Sequence, residues 1–131
     1  MPGIADVLVV EDHALVAAYL AAILRGAGLH VVTSSCVEEA IDLCRVVRFG
    51  AVVIDHLVEG MAGDSFLDAP RVAPVVIVSG LDPYSAVALS RRHADKVFGT
   101  VQKPVRDAEL IEMVQAAMAD TRIPQLVTRD G

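Results

Sequence analysis

The 131-residue chain has no tryptophan, 4% aromatic residues and two cysteines. Its core must therefore be built from Val, Leu, Ile and Ala, a composition that suits a buried parallel sheet covered by helices. Cys36 and Cys44 stand eight apart with no histidine at a metal-ligand spacing, so buried reduced thiols are expected instead of a disulfide or a zinc site. Long apolar runs are also missing. The longest, residues 14–24, is too short to cross a bilayer, and the N-terminus has neither a basic start nor a small-residue cleavage site. A soluble, cytoplasmic protein with no membrane partner is expected. Positive charge is scarce: 11 Lys and Arg against 17 Asp and Glu give a net charge of −6, which argues against nucleic acid as a partner. Repeats, low-complexity stretches and Pro- or Ser-rich linkers are absent, and the length allows one domain with a proper core but not two ordinary ones.

What is present, at 54% apolar residues, is a recurring unit: a short β-branched run, a turn, then a stretch with helical spacing. Residues 7–10, 29–33, 51–54, 75–78 and 97–101 read as strands. Residues 14–27 read as a helix with Val16, Leu20, Ile23 and Leu24 on one face and Gly26 and Gly28 at its end. Residues 36–47 read as a second, capped by Ser34 or Ser35, with Glu38 and Glu39 complementing the dipole in its first turn. A short helix follows near residues 64–67, kept short by Pro70 and Pro74. Another opens at Pro83 and closes at Arg91 and Arg92. The last, residues 107–119, turns Leu110, Ile111, Val114 and Met118 to the core. Five strands alternating with five helices predict a doubly wound α/β sheet with right-handed crossovers, in the flavodoxin-like order 2-1-3-4-5.

In such a sheet a ligand sits beyond the carboxyl ends of the strands. Those ends carry Glu11 and Asp12 after the first strand, Asp55 after the third, Ser79 after the fourth and Lys103 after the fifth. Three carboxylates converging on a low-dielectric sheet repel one another unless a cation joins them. Magnesium takes one or two carboxylates, keeps several waters and accepts phosphate oxygens, so the set suits a phosphoryl site better than a calcium cage. A hydroxyl and an ammonium could hold the outer phosphoryl oxygens.

Over residues 6–119 the chain resembles a response-regulator receiver domain. The motifs are Val7-Leu8-Val9-Val10-Glu11-Asp12, Val53-Ile54-Asp55 running on to Met61 and Gly63, Val78-Ser79-Gly80, and Lys103-Pro104. Each is weak alone, but four in the right order, each at a predicted strand end, make a strong signal. The resemblance implies that Asp55 takes a phosphoryl group from the phosphohistidine of a histidine kinase or histidine phosphotransfer protein, forming a mixed anhydride. It also implies that Asp12, Asp55 and the backbone carbonyl of Leu57 ligate Mg²⁺ and that Glu11 holds one of its waters. Lys103 is then expected to pair with Asp55 and later with the phosphoryl oxygens. Ser79 is expected to donate its hydroxyl and move toward the phosphoryl group, which reshapes the face that signals.

The chain departs from the family pattern at four places. Glu59 stands where the family usually has Pro, and Thr100 replaces the aromatic three residues before the lysine, whose inward swing usually accompanies the hydroxyl's movement. Ser79 and Gly80 are milder changes. By strand alternation Phe98 should share a face with Thr100 at a different height, so it is not read as a replacement ring. His13 and His56 read as loop residues, since magnesium prefers oxygen. Leu15, Ala18, Tyr19 and Ala22, on the apolar first helix, are a candidate docking surface for the phosphodonor.

The expected organisation is a stand-alone receiver over residues 1–120 with a short polar tail, residues 121–131, too small for an output domain. It would signal or relay phosphate through a downstream protein partner, and its oligomeric state is left open. Apart from catalysing its own Mg²⁺-dependent phosphorylation and dephosphorylation, it is not expected to be an enzyme. An aspartate-nucleophile phosphatase would need a second carboxylate two residues after the nucleophile, where Leu57 stands. An inert receiver-like module would not need the full set of acceptor, acids, hydroxyl and lysine.

Overall fold

The computed structural model describes residues 3–55, 73–80 and 96–120. Their strands are β1 (Gly3–Val10), β2 (Val31–Ser34), β3 (Val47–Asp55), β4 (Val75–Ser79) and β5 (Val97–Gln102). Their helices are α1 (Ala14–Gly26), α2 (Val37–Val46) and α3 (Asp107–Met118). Every strand pair is parallel, and the order β2-β1-β3-β4-β5 is the expected flavodoxin-like arrangement. The helices expected near residues 64–67 and 83–92, and the tail at 121–131, lie outside the described residues.

Strand alternation sorts the core onto the two faces of the sheet. Val7, Val9, Val53, Val76 and Val78 face α1 and α3, where Leu20, Leu24, Leu110 and Val114 close over them. Leu8, Val10, Val52, Ile54 and Ile77 face the other way, with Val37 and Ala40 of α2 packed against them. The three central runs, in β1, β3 and β4, are buried on both sides, so they read as unbroken hydrocarbon in the sequence, whereas the edge strands β2 and β5 keep half-buried or exposed positions. Burying one such Val or Leu contributes roughly 1.5–3 kcal/mol.

α1 turns Ala17, Leu20, Ala21, Ile23 and Leu24 inward and leaves Leu15 and Tyr19 exposed. It ends in a Schellman turn in which Gly28 N–H donates to Arg25 O and Leu29 N–H to Leu24 O. Gly28 sits at φ +88°, a region that favours glycine. In α3 the buried residues are Leu110, Val114 and Ala117, while Ile111 and Met118 are half-buried at the margin.

Several expectations are corrected. β1 and β3 begin earlier than residues 7 and 51, because Gly3–Ala5 pair with Val47–Phe49. α2 therefore passes into β3 with no loop between them. Gly50 becomes a strand-interior glycine: a Cβ there would lie 3.1 Å from Met118 Cε and 3.2 Å from the Asp6 carbonyl oxygen, so its missing side chain lets α3 approach. Neither Ser34 nor Ser35 caps α2. The N-cap position is Cys36, which makes no side-chain cap bond, and Glu39 reaches back instead to the Ser35 N–H at 3.2 Å. The cysteines are not both buried either: Cys36 is exposed and Cys44 half-buried, because Cys36 occupies a junction and not an inward-facing turn.

β5 carries the largest departure from simple alternation. Val75 pairs with Val97, but Val76 pairs with Gly99, so Phe98 is an extra residue at a bulge. Phe98 packs with the α1–α3 cluster, whereas Thr100 pairs with Ile77, which belongs to the α2 side. The two residues thus face opposite sides of the sheet, contrary to the expectation that they share one. The bulge uses up one step of the period-two pattern. Gly99 gives α3 its clearance, since a Cβ there would sit 2.9 Å from Met113 Sδ.

Candidate functional site

The acids, the hydroxyl and the lysine stand together along one rim because every strand in a parallel sheet ends on the same side. Asp55 is the last residue of β3 and lies beside Val78 of β4, so Ser79 is one step further along the adjoining strand. Asp55 is 1% exposed and Ser79 fully buried. β5 ends at Gln102, opposite Ser79, and Lys103 N–H donates to Ser79 O at 2.9 Å. That bond anchors the backbone that launches the lysine side chain. Its Nζ reaches Asp55 Oδ2 at 2.5 Å, forming an ion pair in which the aspartate side chain is buried and the lysine side chain about a third exposed. The lysine stem passes Gly80, where an added Cβ would meet its Cδ at 4.0 Å, an ordinary contact.

On the other side of Asp55, Glu11 follows β1 and is 4% exposed, while Asp12 and His13 are exposed. Glu11 N–H donates to Ser34 O at 2.9 Å. Its Oε2 accepts the His13 N–H at 2.9 Å, and its Oε1 is buried with no hydrogen-bond partner. The Glu11 carboxyl is pushed up to about 7, first by burial and then by the neighbouring Asp55 and Asp12 carboxylates, against a lowering by the His13 N–H. A buried carboxylate with an unused oxygen beside two more acids suits a divalent cation or one of its waters. Among the described residues no three acid, histidine or cysteine side chains close into a ligand shell. A groove of about 300 Å³ opens beside Glu11 and Asp12, floored by Ala14, Ala17, Ala18 and Ala21 of α1.

Asp55 and Lys103 are thus in contact, Ser79 and Glu11 flank them on neighbouring strands, and Asp12 is at the mouth. Leu57, expected to offer a carbonyl, lies outside the described residues, as do His56, Glu59, Met61 and Gly63. Chemically, a buried carboxylate held by an ammonium next to a hydroxyl can attack an electrophilic phosphorus and stabilise the anionic oxygens that result. The sequence reading did not find the layer beneath the acids. Ser34 is buried, and its Oγ lies 2.8 Å from Glu39 Oε1 and 3.0 Å from Cys36 O. A serine at a predicted strand end followed by a glutamate in the next helix's first turn was the available signal.

Comparison with known proteins gives a consistent picture. Residues 7–115 match the response regulator receiver domain family. The chain is 37% identical over 124 residues to a protein-glutamate methylesterase/protein-glutamine glutaminase of Anaeromyxobacter dehalogenans, covering 85% of this chain and 35% of that protein. It therefore spans about a third of that curated relative. Among solved structures, the Vibrio cholerae chemotaxis response regulator CheY4 superposes with a TM-score of 0.74 at 22% identity, covering 87% of this chain and 98% of the other. The receiver domain of a Pseudomonas aeruginosa sensor histidine kinase, solved with magnesium in its active-site cleft, superposes at 0.71 and 20% identity, covering 88% and 98%.

Proposed function

This chain belongs to the response-regulator receiver family, and on that footing we propose that it is a phosphorylation switch whose acceptor is Asp55. The observation that carries the reading is the ion pair between buried Asp55 and Lys103, set between Ser79 and the unpartnered oxygen of Glu11. A carboxylate oxygen of Asp55 attacks the phosphorus of a phosphohistidine, the P–N bond breaks, and the imidazole leaves as an acyl phosphate forms. Lys103, already at Asp55, is placed to pair with the phosphoryl oxygens as charge moves outward. The Ser79 hydroxyl donates to the same group. Asp12, Asp55 and the Leu57 carbonyl would hold Mg²⁺, with Glu11 on one of its waters, and the ion would offset charge on carboxylates and phosphoryl oxygens.

The donor is a histidine kinase or a histidine phosphotransfer protein, approached through the exposed Leu15 and Tyr19 of α1. The domain acts in the cytoplasm, passing its state or its phosphoryl group to a protein partner and not to nucleic acid. The net charge of −6 supports a protein partner over nucleic acid. Incubation with acetyl phosphate and Mg²⁺, read by intact mass, tests the reading. One phosphoryl group should be gained, and the gain should vanish in Asp55→Asn and with a chelator. No adduct from acetyl phosphate or from a phosphorylated histidine donor would refute it.

A further inference from the structure

We propose that Ser34, at the carboxyl end of β2, and Glu39, in the first turn of α2, are positioning residues that set Glu11 for the cation. The inference rests on the phosphoacceptor reading above and adds a supporting layer to that site. Glu11 is held at two points. Its N–H donates to Ser34 O at 2.9 Å, one step past the last β1–β2 pair, Val10 with Ser34. Its Oε2 accepts the His13 N–H. Together these bonds direct the remaining oxygen, Oε1, which is buried and unpartnered. Displacing Ser34 therefore displaces the acid.

Ser34 is itself fixed through its side chain. The hydroxyl is buried and has one proton to give. Glu39 Oε1 at 2.8 Å is nearer than Cys36 O at 3.0 Å, and as a carboxylate it is the stronger acceptor. The same Glu39 oxygen accepts the Ser35 N–H at 3.2 Å. Cys36 offers no side-chain cap, so this reach-back is the side-chain contact that holds the start of α2 to the end of β2. A continuous path results, from the first turn of α2 through the Ser34 hydroxyl and carbonyl to the backbone of Glu11. Thr33 and Ser35, on either side, are exposed, which distinguishes Ser34 from a solvated turn serine.

Ser34→Ala leaves the fold's hydrocarbon core intact and removes only the hydroxyl. Mg²⁺ affinity by titration calorimetry should weaken about three- to tenfold, the effect of losing one net hydrogen bond. Glu39→Ala should give a similar loss. Ser34→Thr and Glu39→Gln, which keep a donor and an acceptor, should recover most of it. A core variant of matched thermal stability, Val114→Ala, should keep the native affinity, since it loosens the fold without touching the path. Native affinity in folded Ser34→Ala and Glu39→Ala would overturn the proposal while leaving the phosphoacceptor reading standing. A weakening matched by Val114→Ala would overturn it too, reducing the pair to general stability. Failure of the unsubstituted chain to bind Mg²⁺ at all would overturn both.

Discussion

Raising the pH should weaken the metal-free protein, and Glu11 sets the window. Its carboxyl titrates near 4.5 in the unfolded chain and at about 7 in the fold. Below about 4.5 both states carry the proton and nothing changes. Between the two values the unfolded chain releases its proton while the folded chain keeps it, so the folded state binds more protons and stability falls as pH rises. Above about 7 the full penalty applies. The separation, 7 less 4.5, is about 2.5 units, and at about 1.36 kcal/mol per unit it amounts to roughly 3 kcal/mol, less whatever the site relaxes once ionised. Urea denaturation of chelated protein at about pH 5 and about pH 8 measures it. Glu11→Gln, which cannot ionise, should flatten the difference between the two pH values by about 2–3 kcal/mol relative to the unsubstituted chain. Comparing the two slopes removes the contribution of general repulsion in a chain of net charge −6. Mg²⁺ should stabilise more at the higher pH, where Glu11 no longer has to give up a proton to receive it. Equal slopes in the two proteins would refute the reasoning.

Three further outcomes follow from the same coordinates. Lys103→Met leaves the 1%-exposed Asp55 without its cation and should cost about 2–4 kcal/mol by chemical denaturation near neutral pH, with most of it recovered in Lys103→Met/Asp55→Asn. Gly50→Ala meets the rigid Asp6 carbonyl at 3.2 Å as well as Met118 and should cost about 1–3 kcal/mol; Gly99→Ala meets only the flexible end of Met113 and should cost less, and the opposite ranking would count against the packing described. Leu15→Asp changes a residue 76% exposed, so its stability should stay within about 0.5 kcal/mol. Phosphotransfer from the histidine donor should drop while acetyl phosphate still labels Asp55, and unchanged transfer would dispose of α1 as the docking surface.

The sequence by itself determined the strand order and the rim residues. Runs such as Val7–Val10 and Val75–Val78 are apolar on both faces, which only a sheet covered on two sides requires. A polar residue ending such a run has one place to go in a parallel sheet, the carboxyl rim, so Glu11, Asp55, Ser79 and Lys103 could be placed without coordinates. Tertiary structure decided what depends on contacts between elements and leaves no period in the chain. The start of β3 at Val47 follows from pairing with Gly3–Ala5. The bulge that sends Phe98 and Thr100 to opposite faces follows from the fit of β5 to β4 and of Met113 over Gly99. The support of Glu11 by Ser34 and Glu39 joins three elements through one hydroxyl and one carbonyl. Backbone pairing and close packing are satisfied in three dimensions at once, so a one-dimensional pattern records only their average.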